Sequence, residues 1–469
     1  MVIELTGLND IIPDIYSDFR PIVSDGILFL LSRISPERFY SLFHALSEED
    51  TPADRLVRLA QEIPTLHKLG QIIARNQNID KELRKSLVNL ENSIMKIEVA
   101  IIGGIIEDAL GSWMNEYGVQ FNYNVCYEAS VAAVLGFTCN RPQGLNITDG
   151  VFKVIKPDVP QRLYEELEIL DDLANFYDSN RHKYSLHNFR FIETFSDIKL
   201  ALLKEIDLSN EQRNLQRARS FYNDVKTVKV PRFVLSSTKG ITIMEFMKGE
   251  KITDADLTLL ERRRCAKTLF SSLICYPLFS DQLQSIFHAD PHAGNIYYSR
   301  QTEQVAFLDW SLAGELHKRE RAAILKLSTD IFTKNSARIY ESIKALSDDD
   351  IRDERVIREE ISRFLTAPSG GFIEQPLTLL DSLAFKGVKF PSDLLLFRKA
   401  IFTLNGVLQE LDPDFNMDRQ LIEFTAPLLL DELPLRWFYL FFPLVENTYR
   451  YRSLISNLDL IKIAQGWLR

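Results

Sequence analysis

The stretch 286-IFHADPHAGNIYYSRQTEQVAFLDWSLAG-314 decides how this chain is read. An apolar approach leads into Asp290, a turn built on Pro291 and Gly294 follows, and Asn295 stands one short turn later. The hydrophobic run 305-VAFLD-309 then ends on a second carboxylate, Asp309. Phosphoryl transfer from a nucleotide needs a carboxylate near the acceptor, hard oxygen ligands for a metal, and a cation on the phosphates. Asp290 suits the first role, and Asn295 with Asp309 suits the second. The cation is available upstream in 151-VFKVIKP-157, where Lys153 shares a strand face with Val151 and Ile155. A lysine on such a face is costly to bury without an anionic partner. Taken alone it reads equally as an edge-strand charge facing water. Lys156, on the other face before Pro157, is read as structural.

His288 and His292 have the i,i+4 spacing of a helical zinc site. Pro291 between them breaks the helix, and no glutamate fills the middle of the motif, so both are read as hydrogen-bonding loop histidines.

A chain of 469 residues with 46% hydrophobic composition can bury one large core or two adjoining ones. The net charge of -10 argues against nucleic acid as a partner. Cys126, Cys139, Cys265 and Cys275 are scattered without zinc or CxxC spacing and are read as reduced structural cysteines. The opening residues are acidic with no basic leader region, so secretion is not expected. The longest apolar runs, 99-VAIIGGII-106 and 437-WFYLFFPLV-445, fall well short of the ~20 residues that span a bilayer. The second is read as a buried core helix or strand, with docking to lipid as its competitor. The expectation is a cytoplasmic protein, with peripheral membrane contact left open.

The pattern predicts an α+β fold in three parts. Residues 1–118 are helical, with segments at 23–31, 36–46 and 53–59 and a longer helix over 84–110 interrupted near Gly103-Gly104. Residues 119–247 hold the strands: 119–140, then 151–155, then 227-TVKVPRFVLSSTKGITIMEFM-247 as two strands around a turn, with helices over 159–178 and 193–218 between them. Residues 248–469 are helical apart from the catalytic stretch. In 204-KEIDLSNEQRN-214, Glu205, Asp207 and Glu211 fall on a predicted helix, where an inward carboxylate could pair with Lys153. In 67-HKLGQIIARN-76, Lys68 and Gln71 lie one helical turn apart, a spacing that by itself says only amphipathic helix.

Taken together, these residues resemble the AarF/UbiB/ADCK group of ABC1 atypical kinases. In order, 68-KLGQ-71 matches its KxGQ motif, 129-ASVAA-133 its alanine-rich loop, Lys153 its lysine strand, 205-EID-207 its ExD motif, and 290-DPHAGN-295 with 309-DWS-311 its catalytic and metal segments. The resemblance spans about residues 50–330. It implies a bilobal protein-kinase-like fold with an N-terminal helical extension, and ATP and Mg²⁺ as cofactors. It makes Asp290, Lys153 and Lys68 the catalytic set, with Asn295 and Asp309 on the metal. Around the nucleotide it places Ala129, Ser130, Glu205, Asp207 and Glu211, and a linker in which Met244 lies beside adenine and Glu245 to Met247 offer backbone hydrogen bonds. Glu211 is the expected partner of Lys153, and Glu205 or Asp207 that of Lys68.

Three departures stand out. Glu128 replaces an alanine of the alanine-rich loop, Ala133 and Leu135 replace its usual Gln and His, and Ser311 replaces a glycine after the metal aspartate, reducing backbone freedom. The resemblance implies an ATPase or a small-molecule or lipid phosphotransferase, linked to isoprenoid-quinone or lipid metabolism, since the KxGQ helix would exclude a polypeptide substrate. The competing reading is a nucleotide-binding pseudokinase that scaffolds a biosynthetic or membrane-associated assembly of protein partners. Oligomeric state is not legible.

Overall fold

The computed structural model describes residues 20–48, a few positions between 55 and 66, 98–128, 131–141, 144–145, 147–184, 191–347, 354–366 and 370–467. The chain forms two compact units, residues 1–212 with 232–246 and residues 213–231 with 247–469.

In the first unit, α1 (Arg20–Leu31) and α2 (Pro36–Ser47) bury Ile27, Leu30 and Leu42 in a small apolar cluster. The next described helix, α3 (Val99–Tyr117), ends on Gly118, whose φ of 60° is the left-handed conformation that glycine adopts without a Cβ penalty. The expected interruption at Gly103-Gly104 is not there. Burial of Ile102, Ile106, Leu110 and Trp113 along one face outweighs the helix-propensity cost of about 1 kcal/mol per glycine. That face packs with the sheet formed by β1 (Val119–Glu128), β2 (Ala132–Cys139) and β3 (Asp149–Ile155), through Phe137, Phe152 and Leu135.

After α4 (Asp158–Ser179), the region expected as one helix over 193–218 is two, α5 (Phe191–Glu205) and α6 (Leu208–Phe221), broken at Ile206-Asp207. Asp207 causes the break. Its side chain accepts the Ser209 N–H at 3.0 Å while its carbonyl accepts the Asn210 N–H at 3.0 Å, which is the geometry of a helix N-cap. Of the two strands expected in 227–247, the first divides at Pro231. β4 (Val228–Lys229) pairs in the second unit, a ladder that Pro231, with no N–H, cannot continue. Beyond it, Phe233 bridges Met244 antiparallel and the Val234 N–H donates to the Ile243 carbonyl at 2.9 Å, as the expected turn requires. β5 (Ile241–Glu245) completes the first unit's antiparallel sheet in the order β1-β2-β3-β5.

The second unit carries β6 (Glu250–Lys251) and α7 (Leu259–Phe270), whose start is fixed by a reciprocal Thr258–Glu261 capping box. Then come β7 (Gln284–His288), β8 (Ile296–Ser299), β9 (Gln304–Phe307) and β10 (Ala313–His317). They form a β10-β7 pair and a β4-β9-β8-β6 sheet. Helices follow: α8 (Lys318–Phe332), α9 (Ser336–Leu346), α10 (Glu354–Thr366), α11 (Glu374–Phe385), α12 (Ser392–Leu411), α13 (Met417–Asp431), α14 (Leu433–Phe441) and α15 (Asn457–Trp467). Trp310, Phe287, Phe307 and Phe397 are fully buried and build the core around the 286–314 stretch.

The 437–445 run is not core. Tyr439 and Arg436 of α14 are buried, the latter clamped by Glu432, Ser453 and the Ile455 carbonyl. Trp437, Phe438, Leu440, Phe441, Phe442, Leu444 and Val445 are exposed, Leu444 completely. Among the described residues no helix is long and apolar enough to cross a membrane.

Candidate functional site

Lys153 is the fifth of the seven residues of β3, and its strand face decides its environment. The side chain is buried, and Nζ sits 2.8 Å from Glu211 Oε1, with Glu211 itself only 2% exposed. This rules out an edge-strand charge facing water. Glu211 reaches Lys153 because α6 is fastened to the sheet beside it: Gln212 Nε2 donates to Thr242 Oγ1 at 3.0 Å and to the Thr238 carbonyl at 2.8 Å. Thr242 is the β5 partner of Lys153 in register. A carboxylate at the first turn of α6 also faces the positive end of the helix dipole. Lys156 is buried as well.

Other expected nucleotide contacts fall differently. Glu205 closes α5, and its side chain, like Lys68, Gln71, Ala129 and Ser130, lies outside the described residues. Asp207 is an exposed cap. Met244 and Glu245 end β5, with Val151 and Gly150 opposite them. The Glu245 N–H donates to the Arg232 carbonyl at 2.8 Å and the Phe246 N–H to the Asp149 carbonyl at 3.1 Å. These two linker amides are therefore taken, so a backbone hydrogen bond between a ligand and Glu245 or Phe246 would run through the carbonyl. Met247 is buried in the second unit. Ala133 and Leu135 sit in the apolar core with Ile102 and Phe152, so neither position presents a group to a ligand.

In the second unit, Asp290, Asn295 and Asp309 are brought together by backbone pairing. The β8–β9 hairpin zips from Ser299↔Gln304 to Ile296↔Phe307, and one further bond, Leu308 N–H to the Asn295 carbonyl at 2.9 Å, closes its open end. Asn295 and Asp309 thus flank the same end of one hairpin. On the other side, β7 pairs with β10 up to His288↔Ala313, and the Ala289 N–H bonds the Leu312 carbonyl at 3.1 Å. The Asp290 loop and the Asp309 loop consequently lie side by side.

His288 stitches those loops together. Its ring Nε2 is 2.9 Å from the Leu308 carbonyl, and its Nδ1 accepts the Asp290 N–H at 3.2 Å. Serving one acceptor and one donor requires the neutral Nε2–H tautomer. Burial of the ring pushes its pKa below the ordinary 6.5, which favours that form. The ring packs against Trp310 at 4.8 Å between centroids, and the Trp310 indole N–H donates to the Phe307 carbonyl at 3.1 Å.

Within the loop, the His292 N–H returns to the Asp290 carbonyl at 2.9 Å, and His292 Nδ1 accepts the Gly294 N–H at 3.1 Å. Both histidines are therefore hydrogen-bonding residues off any helix, and no zinc pair forms. Asn295 Nδ2 donates to the Asp290 carbonyl at 3.2 Å, which commits the amide nitrogen and leaves Oδ1 as an oxygen donor. Asp309 takes a left-handed φ of 51°, tolerable for a short polar side chain, and its Oδ1 accepts the Ser311 N–H at 3.2 Å. The positive φ falls on Asp309 and not on Ser311, so replacing glycine at 311 does not restrict this turn.

Among the described residues no group of three or more His, Cys, Asp or Glu is arranged to hold a metal. An Asn–Asp pair instead fits Mg²⁺, a hard cation that keeps waters and phosphate oxygens as its remaining ligands. Sequence reasoning missed Gln212, which anchors α6, and Lys399 of α12, whose Nζ lies 3.6 Å from Asp290 Oδ1. Neither sits in a motif. Lys399 is one charge in a mixed helix 109 residues beyond Asp290, and no local pattern marks it.

Residues 89–343 match the model of the ABC1 atypical kinase-like domain, more than half of the chain. The chain is 25% identical over 429 residues to a probable protein kinase UbiB of Haemophilus ducreyi, covering 88% of this chain and 76% of that one. It is 25% identical over 380 residues to a probable protein kinase UbiB of Xylella fastidiosa, covering 77% and 67% respectively. A Mycobacterium tuberculosis protein, Rv3197, solved with erythromycin, aligns at a TM-score of 0.47 and 15% identity over 76% of this chain and 90% of its own. The mixed α+β architecture is the protein-kinase-like class.

Proposed function

The chain belongs to the ABC1 atypical kinase-like family, and on that premise we propose that it binds ATP with Mg²⁺ and transfers the γ-phosphoryl group to water or to the hydroxyl of a small molecule or lipid. The observation that supports this reading is the His288-stitched frame, which holds the Asp290 loop against the Leu308–Asp309 turn, with Asn295 at the same end of the hairpin. Such preorganisation is the protein's main contribution to phosphoryl transfer, because the reaction asks for positioning and charge stabilisation.

In this reading Asn295 Oδ1 and Asp309 hold the metal, which neutralises phosphate charge when bound. Lys153, kept extended by Glu211, contacts the phosphates, and Met244 lies beside the adenine, with Met247 in the linker after it. Asp290 accepts the acceptor's proton as the acceptor oxygen bonds to the γ-phosphorus. The bond from that phosphorus to the β,γ-bridging oxygen breaks, and ADP leaves with its electron pair. Ala129 and Ser130 would lie along the phosphates, and Lys68 with Glu205 or Asp207 would close the cleft to polypeptides. A lipid acceptor is supported by the exposed apolar run 437–445.

The scaffold alternative rested partly on Ala133, Leu135 and Ser311. The first two are core residues and the third is not the left-handed residue of its turn, so that support is weakened. Titration calorimetry with ATP in Mg²⁺ and in EDTA tests the proposal. Tight binding with Mg²⁺, weakened at least tenfold by EDTA and by Asp309→Asn, is expected. Metal-independent binding of equal strength would leave the scaffold reading standing.

A further inference from the structure

The segment 290-DPHAGN-295 contains no lysine or arginine, and the side chain two places after Asp290 is His292, engaged with the Gly294 N–H. The reaction proposed above nevertheless brings the Asp290 carboxylate up to an anionic phosphoryl group. Two like charges about 4 Å apart repel by roughly 4 kcal/mol at the effective dielectric of a protein surface, enough to slow transfer about a thousandfold. A cation shared between them would cancel that repulsion.

The structure supplies one on α12. Phe397 of that helix is fully buried edge-on against Phe287 of β7, with ring centroids 5.1 Å apart at 74°. Phe287 is three residues before Asp290, so this contact locks α12 beside the catalytic loop. Arg398 is engaged elsewhere, 2.9 Å from Asp381 and over the Phe402 ring. Lys399 is the residue that faces Asp290, with Nζ 3.6 Å from Oδ1 and side-chain exposures of 36% for the lysine and 13% for the aspartate. That separation exceeds the 2.7–2.9 Å or so of a charge-assisted hydrogen bond, so the contact is one of charge and not a short hydrogen bond. As a stability device a long, solvent-reached pair of this kind contributes little.

We infer that Lys399 is a catalytic residue of this site, its ammonium bridging Asp290 and the phosphoryl group in transfer, and so doing from a C-terminal helix what the catalytic loop cannot do for itself. The inference rests on the phosphotransfer reading and adds the residue that makes Asp290 compatible with an anionic neighbour.

The test compares wild type, Lys399→Met and Lys399→Arg for binding of ADP, and of ADP with Mg²⁺ and aluminium fluoride as the phosphoryl mimic, alongside ATP turnover. ADP affinity is expected to stay within about twofold throughout. The tightening produced by aluminium fluoride should fall by about 10- to 100-fold in Lys399→Met, the worth of one charged hydrogen bond, and return largely in Lys399→Arg. Turnover should lose kcat with little change in KM for ATP. Aluminium fluoride tightening that is absent in wild type or unchanged in Lys399→Met overturns the inference, as does an equal loss of ADP binding in both variants. Wild-type tightening that depends on Lys399 but comes with no turnover supports the phosphate contact and sinks the enzymatic reading. Wild-type turnover that is indifferent to Lys399→Met does the reverse.

Discussion

Replacing His288 by leucine keeps an apolar body of similar size against Trp310 but deletes both ring nitrogens. The Asp290 N–H and the Leu308 carbonyl then lose partners at 3.2 and 2.9 Å, in a place where the ring they faced is only 2% exposed. Leaving a buried backbone group unsatisfied costs about 1–3 kcal/mol, so the pair should cost about 2–6 kcal/mol. A domain holding about 10 kcal/mol, the middle of the usual range, survives that loss, so the variant should fold and lose stability in measurable amount.

Urea unfolding gives the global figure, and hydrogen exchange at the Asp290 amide gives the local one, which should accelerate by about tenfold or more for each 1.4 kcal/mol lost. The same residue sets a pH dependence. Its folded pKa is depressed below 6.5, so as pH falls the unfolded chain takes up this proton first. The stabilisation is therefore fully present above pH 6.5 and is lost as pH drops below it, with a slope approaching ~1.4 kcal/mol per pH unit until the folded pKa is reached. His288→Leu should remove that contribution. A variant that loses under about 1 kcal/mol, leaves Asp290 exchange unchanged and keeps the wild-type acid slope would refute the stitching role.

Glu211→Gln should destabilise by about 3–5 kcal/mol, because Lys153 stays charged and buried without its carboxylate, while the double change Lys153→Met with Glu211→Leu should recover most of the loss in urea unfolding without restoring ATP binding. Gly249→Ala should cost about 1–3 kcal/mol in a melt, since a Cβ there would stand 2.5 Å from the Tyr298 carbonyl oxygen, a backbone atom that cannot swing aside. Ser311→Gly should leave stability within about 0.5 kcal/mol and turnover within about twofold of wild type, because the left-handed residue of this turn is Asp309; a large gain in turnover would mean that the serine restrains the turn after all.

The residues easiest to find from sequence were those whose meaning is local. Asp290, Asn295 and Asp309 stand around one short hairpin, and Lys153 stands out as a charge inside an apolar strand. What escaped depended on distant parts of the chain. The helix over 193–218 looked continuous because its apolar period survives the break, and only the cap at Asp207 reveals it. The strand through Pro231 divides there for want of one N–H, and only the part after it pairs with β5, a constraint present in the sequence but outvoted by its apolar neighbours. The run 437–445 looked like core by composition, whereas α14 buries Arg436 and Tyr439 and turns its other large side chains outward. Lys399 becomes visible only once Phe397 has docked against Phe287.

The most direct test of the account is steady-state ATP turnover by wild type and Asp309→Asn, in Mg²⁺ and in EDTA, with and without anionic lipid vesicles. Asparagine tolerates the left-handed φ of 51° at this position, so the variant changes charge and little else. The account predicts Mg²⁺-dependent turnover that falls by about 100-fold or more in the variant, and stimulation by vesicles if the acceptor is a lipid. Equal turnover in the two proteins, or a wild type that binds MgATP and never consumes it, would contradict the phosphotransfer site drawn around Asp290, Asn295 and Asp309.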